Sequence, residues 1–90
     1  MIEAEVESYL TYLVTSLGGE VRKAEWVNRR HCPDRRVMHP KRCCWIEFKR
    51  PGEKPRPGQL REHTRMIAMG EDVIVISTFD EVDAFVEGLK

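Results

Sequence analysis

No apolar run in this 90-residue chain approaches the roughly 20 residues needed to cross a bilayer. The start, Met1-Ile2-Glu3-Ala4-Glu5, has no basic segment leading into an apolar stretch. A soluble, intracellular protein acting in the cytoplasm, without membrane contact, is therefore expected. Cysteine is scarce: Cys32, Cys43 and Cys44 form an odd set, and adjacent Cys43 and Cys44 point to opposite faces if strand-borne. A disulfide framework is accordingly not expected. Internal repeats, low-complexity tracts and interdomain linkers are also lacking, which leaves one domain spanning residues 1–90. So small a core is marginal, and burial in an oligomer is a common remedy.

Net charge is likewise absent, at 15 basic against 15 acidic side chains, but the signs are segregated. Between Arg22 and Arg65 lie 14 of the 15 Lys and Arg residues and only 5 of the 15 acids. A basic block of this kind can neutralise a polyphosphate and release its counterions. Lys23, Arg29, Arg30, Arg35, Arg36, Lys54 and Arg56 are the candidate phosphate contacts, with DNA as the expected partner.

Periodicity places a first helix at about residues 3 to 17, where Val6, Tyr9, Leu10, Leu13 and Leu17 recur at helical spacing before Gly18-Gly19. Glu20 to Val27 and Arg35 to Met38 read as strands, with a basic loop between them. Cys43 to Lys49 is the clearest strand, with Cys44, Ile46 and Phe48 on one face and Trp45, Glu47 and Lys49 on the other. Pro57 can open a second helix carrying Leu60, Thr64, Ile67 and Ala68 inward, and Gly70 can close it. Val73 to Ile76 reads as a buried central strand, and Thr78-Phe79-Asp80-Glu81 as a capping box before a last helix. The predicted class is α/β: a mixed sheet flanked by helices in the order α-β-β-β-α-β-α. The second and third strands should form an antiparallel hairpin, and the third and fourth a parallel crossover.

In that arrangement Asp34, at the entrance of the second strand, and Glu47 and Lys49, near the end of the third, reach the same end of the sheet. Hydrolysis of a phosphodiester needs the phosphate shielded and a nucleophile generated at neutral pH. Hard carboxylate oxygens holding Mg²⁺ or Mn²⁺ supply both, so Asp34 and Glu47 are candidate metal ligands. Lys49 is the candidate to orient or deprotonate water, or to stabilise charge on the phosphate. Against this stands the plainer reading of Glu and Lys two apart as a solvated pair, and of Pro-Asp as a turn. His31, Cys32, His39, Cys43 and Cys44 form a weaker soft-metal alternative, since four of them do not converge easily.

Nearly the whole chain resembles the virus-type replication-repair nuclease domain, VRR-NUC, of the PD-(D/E)xK superfamily. The resemblance runs in order through Val6-Glu7-Ser8-Tyr9-Leu10, Gly18-Gly19, Lys23, Arg30 and Pro33-Asp34-Arg35. It continues through Trp45-Ile46-Glu47-Phe48-Lys49-Arg50-Pro51-Gly52, Gln59 and Gly70-Glu71-Asp72-Val73. It implies a single restriction-endonuclease-like domain and divalent-metal cleavage of DNA, with some members cutting branched substrates such as Holliday junctions. By position, Asp34, Glu47 and Lys49 match the catalytic triad and Gln59 the glutamine of the following helix. Glu7 matches the acidic residue of the first helix, with Glu3 one turn earlier as its alternative, and the main-chain carbonyl of Phe48 is a further metal ligand. Where the family often carries glycine, two residues before Pro33, this chain has His31.

The expectation is thus a structure-selective DNA endonuclease. So short a stand-alone version points to a phage or mobile element, acting in the host cytoplasm. A homodimer would set two cutting centres on a substrate with twofold symmetry. Two other readings are a non-catalytic nucleic-acid-binding module using the basic block, and a small assembly protein with a solvated charged face.

Overall fold

A computed structural model describes residues 3–90; Met1 and Ile2, the first residues of the expected 1–90 domain, lie outside it. The elements are α1 (Glu3–Ser16), β1 (Glu20–Lys23), β2 (Arg35–His39), β3 (Arg42–Phe48), α2 (Pro57–Ala68), β4 (Val73–Ile76) and α3 (Phe79–Glu87). Their order is the predicted one. The four strands form one mixed sheet, β1-β2-β3-β4, antiparallel through β3 and parallel between β3 and β4.

Alternation along β3 divides the molecule in two. Cys44, Ile46 and Phe48 are buried against Val6, Leu10 and Val14 of α1 and Val82, Phe85 and Val86 of α3. Register aligns Val37 with Cys44, Ile74 with Ile46 and Ile76 with Phe48, so one face of the sheet is apolar across β2, β3 and β4. Each such Ile or Phe contributes about 1.5–3 kcal/mol on burial. Gly18 turns the chain out of α1 at φ 89°, and Gly19 donates its N–H to Val14 O. A Cβ on Gly19 would stand 2.8 Å from Val14 Cγ1 and 2.9 Å from Met38 O, so no larger residue fits between helix and hairpin. The Thr78 side chain caps α3 by accepting from Glu81 N, and the Glu81 carboxylate accepts from Thr78 N, as the motif predicts.

Three expectations are corrected. β1 ends at Lys23 rather than Val27, because Ala24 N closes the ladder on Asp34 O. The chain then turns through left-handed conformations at Asn28 (φ 58°) and His31 (φ 70°), and Val27 points to solvent. His31 therefore holds, with a side chain, the backbone conformation that glycine adopts freely. β4 is an edge strand rather than a central one, since it pairs with β3 alone, and Val75 is 36% exposed.

The third correction concerns α2. Leu60 and Ile67 face outward, 51% and 55% exposed, with Thr64 and Ala68 also exposed. The buried positions are Gln59, Glu62, His63 and Met66, which turn toward the sheet face bearing Trp45 and Glu47. The apolar spacing on this helix marks its outside, because its inward face meets a charged strand surface rather than a hydrocarbon core.

Candidate active site

Asp34 is one step beyond the Arg35–Ile46 pair of the β2–β3 ladder, which brings it level with Glu47. Buried Pro33 anchors the loop behind it, and Asp34 Oδ2 accepts the Phe48 N–H at 2.8 Å. The hairpin thus fixes one carboxylate at the end of β3, beside the second. Glu47 is 3% exposed, and its two oxygens differ. Oε2 accepts from Gln59 Nε2 at 3.3 Å and lies 3.7 Å from Lys49 Nζ. Oε1 has no hydrogen-bond partner among the described residues. Burial, reinforced by the neighbouring Asp34 charge and against the pull of Lys49, pushes the Glu47 carboxyl up to about 7.

Gln59 is oriented from both sides. At the third position of α2 its Oε1 accepts the Arg56 N–H at 2.9 Å, which commits the amide NH₂ to Glu47. Sequence reading missed its neighbour one turn on, His63, although the spacing of four from Gln59 puts both on one helix face. His63 is buried, its Nε2 lies 3.9 Å from Glu47 Oε1 and has no hydrogen-bond partner among the described residues, and burial lowers its pKa. Glu62, also missed, grips Arg29 through two hydrogen bonds and Arg65 through a further pair. Those cations hold its carboxyl down at about 2. This ties the loop carrying Asp34 to the helix carrying Gln59.

Glu7 feels the charge of Asp34, but its carboxylate is engaged by Arg35. Arg35 Nη2 holds its Oε2 at 3.0 Å, on the sheet side facing α1, and burial raises its pKa while Arg35 lowers it. The charge of Glu3 acts on both Glu7 and Glu47. Among the described residues no three His, Cys, Asp or Glu side chains converge on a point; Asp34 and Glu47 are the close carboxylate pair. The alternative soft-metal residues are dispersed. His39 accepts from Lys41 N at Nδ1 and meets Leu17 O at Nε2, Cys43 is exposed, and Cys44 is in the core. Burial pushes the Cys32 thiol up to about 11 and that of Cys44 to about 12.

The basic block is partly neutralised by folding. Arg29 pairs with Glu62, Arg35 with Glu7, Arg36 approaches Glu71, and Arg42 pairs with Asp72. Lys23, Arg30, Lys54 and Arg56 make no ion pair with the described residues, so of the seven predicted phosphate contacts these four keep their charge available.

No family model matches the chain. A phage protein named "Putative nuclease p44", from Acyrthosiphon pisum secondary endosymbiont phage 1, is 43% identical over 79 residues, covering 87% of this chain and 85% of the relative. A solved structure described as a VRR_NUC domain superposes with a TM-score of 0.87 at 36% identity, over 94% of each chain. Fold and relatives together define a small α/β nuclease. The chain belongs to the VRR_NUC family.

Proposed function

We propose that this nuclease is a divalent-metal-dependent DNA endonuclease, selective for branched DNA such as Holliday junctions and active as a homodimer in the cytoplasm. The observation that carries the reading is the buried, unpartnered Glu47 Oε1 beside Asp34, with Lys49 alongside. Two hard carboxylates held together at a cost in charge repulsion are the donor set that Mg²⁺ or Mn²⁺ takes. Mg²⁺ in particular binds through one or two carboxylates plus water and substrate phosphate. The residues therefore fit the ion: Asp34 and Glu47 would hold it, with the Phe48 carbonyl as a further donor and Glu7 or Glu3 reaching it through water. When bound, the ion lowers the pKa of water and screens phosphate charge.

The protein's own groups do the rest. Lys49, half-buried beside Glu47, orients the attacking water or takes its proton, and faces the charge that grows on the phosphate. Gln59, fixed by the start of α2, holds the Glu47 carboxylate in its rotamer. Lys23, Arg30, Lys54 and Arg56 grip the backbone on either side. Dimerisation is supported by Leu60 and Ile67 on the outer face of α2, by the unpaired edge of β4, and by the small core. No helix of the described residues is long and apolar enough to cross a membrane.

The test is cleavage of labelled linear, flap and four-way-junction DNA with Mn²⁺, Mg²⁺ or EDTA. Metal-dependent cutting concentrated at branch points is expected. Binding without cutting under every condition would instead favour a non-catalytic module.

A further inference from the structure

Beside the acidic pair, on the same face of β3, a cleft of about 250 Å³ opens between the sheet, the β1–β2 loop and the second half of α2. Its apolar walls are Trp26, Trp45, Met66 and Met69. The two indoles are in contact, with centroids 5.3 Å apart and planes tilted by 56°. Every charge on the cleft is already paired. Arg29 and Arg65 both hold Glu62, while Glu71 accepts the Trp45 N–H at 2.8 Å and has Arg36 at 4.0 Å. A phosphate would meet no uncommitted cation there. One donor does lack a partner among the described residues, the buried Trp26 N–H.

We propose that this Trp26–Trp45 cleft binds one unpaired nucleobase of the DNA strand whose backbone crosses Asp34 and Glu47. The inference rests on the nucleic-acid substrate of the preceding reading and gives it a means of selecting branched DNA. Every base has an apolar π-face, so stacking on aromatic and thioether surface is sequence-tolerant, and it is open only to a base freed from its duplex. The volume suits a single ring system, being below the ~300–1,000 Å³ of drug-sized sites. Trp45 precedes Glu47 by two residues on one strand face, a separation of about 7 Å, so a nucleotide seated here lies next to the cutting centre.

The chain's two tryptophans both line the cleft, so tryptophan fluorescence, excited selectively over Tyr9 and Tyr12, reports on it. The experiment is done in EDTA, with a short single-stranded oligothymidylate, the same backbone made of abasic residues, and a matched duplex. Saturable quenching by the oligothymidylate is expected, with affinity roughly 5- to 100-fold weaker and quenching lost for the abasic strand. Trp26→Ala should remove that difference. If it fails to fold, Met69→Glu, at an 83% exposed position on the cleft, should do the same.

Equal affinity for abasic and base-bearing strands would overturn the proposal. So would quenching that rises with protein concentration in the absence of DNA, which would make a second copy the occupant. A protein that cuts DNA with Mg²⁺ but shows no base-dependent quenching loses this inference alone; one that shows the quenching but never cuts loses the nuclease reading alone.

Discussion

The two faces of the sheet are built from the same four strands and differ in nearly everything else. Toward α1 and α3, Val37, Cys44, Ile46, Phe48 and Ile76 are sealed in hydrocarbon. Toward α2, half-buried Trp45 and buried Glu47 meet Gln59, Glu62, His63 and Met66, a layer that is also largely buried but mostly polar. Hydrophobic transfer stabilises the first face without regard to direction. On the second, each polar group must find a partner or carry a penalty, and among the described residues Glu47 Oε1, His63 Nε2 and the Trp26 N–H are left without one. One face therefore holds the molecule together while the other carries the candidate site.

If that division is right, a substitution on each face should damage a different property. The largest effect is expected from Glu47→Gln or Asp34→Asn, which should lower cleavage on the order of 10³-fold or more while thermal unfolding shows a folded protein. Mg²⁺ should raise the Tm of the wild type by linkage, and both variants should lack that rise. Undiminished metal-dependent cutting in both would remove the acidic pair from the chemistry. Ile46→Ala, one residue away on the opposite face, should do the reverse. It should cost about 2–5 kcal/mol in denaturant unfolding, with cleavage per folded molecule near that of the wild type.

Glu62→Gln tests the polar layer as a support. Its carboxyl is held at about 2, below the unfolded value of 4.5, so its stabilising effect is complete above 4.5 and fades as pH falls toward 2. At pH 7 the variant should be about 1–2 kcal/mol less stable after allowing for solvent screening, and the gap should close in acid. A gap independent of pH would mean that packing, not charge, ties the Asp34 loop to α2. The smallest effect on stability, within about 0.5 kcal/mol, is expected from Ile67→Glu on the outer face of α2. For the proposed homodimer, sedimentation should then show a shift from dimer to monomer; a wild type that already sediments as a monomer would remove the dimer, and an unchanged dimer mass would place its contact elsewhere.

Much of the placement of the candidate site was legible before folding was considered. Strand alternation put Glu47 and Lys49 together, the short β2–β3 hairpin brought Asp34 level with them, and the turn chemistry of Pro57 and Thr78 set two helix starts. The order of elements followed, since period and capping are local properties of the chain. The α2 assignment failed because Leu60, Thr64 and Ile67 have the spacing of a core stripe, and nothing local says that the surface opposite is charged. His63 and Glu62 escaped for the same reason: they acquire meaning only across from Glu47 and Arg29.

Charge shows most directly where local information stops. A linear count separates a basic middle from acidic flanks, and composition carries that fact entirely. Folding then joins Glu7 to Arg35 and Asp72 to Arg42, bringing flank carboxylates onto the guanidinium groups of the middle. Coulomb interactions depend on distance in space rather than along the chain, so the residues decided which elements form and which carboxylates can meet. Only the packed fold decided which cations remain available for a phosphate and which polar atoms stay buried without a partner.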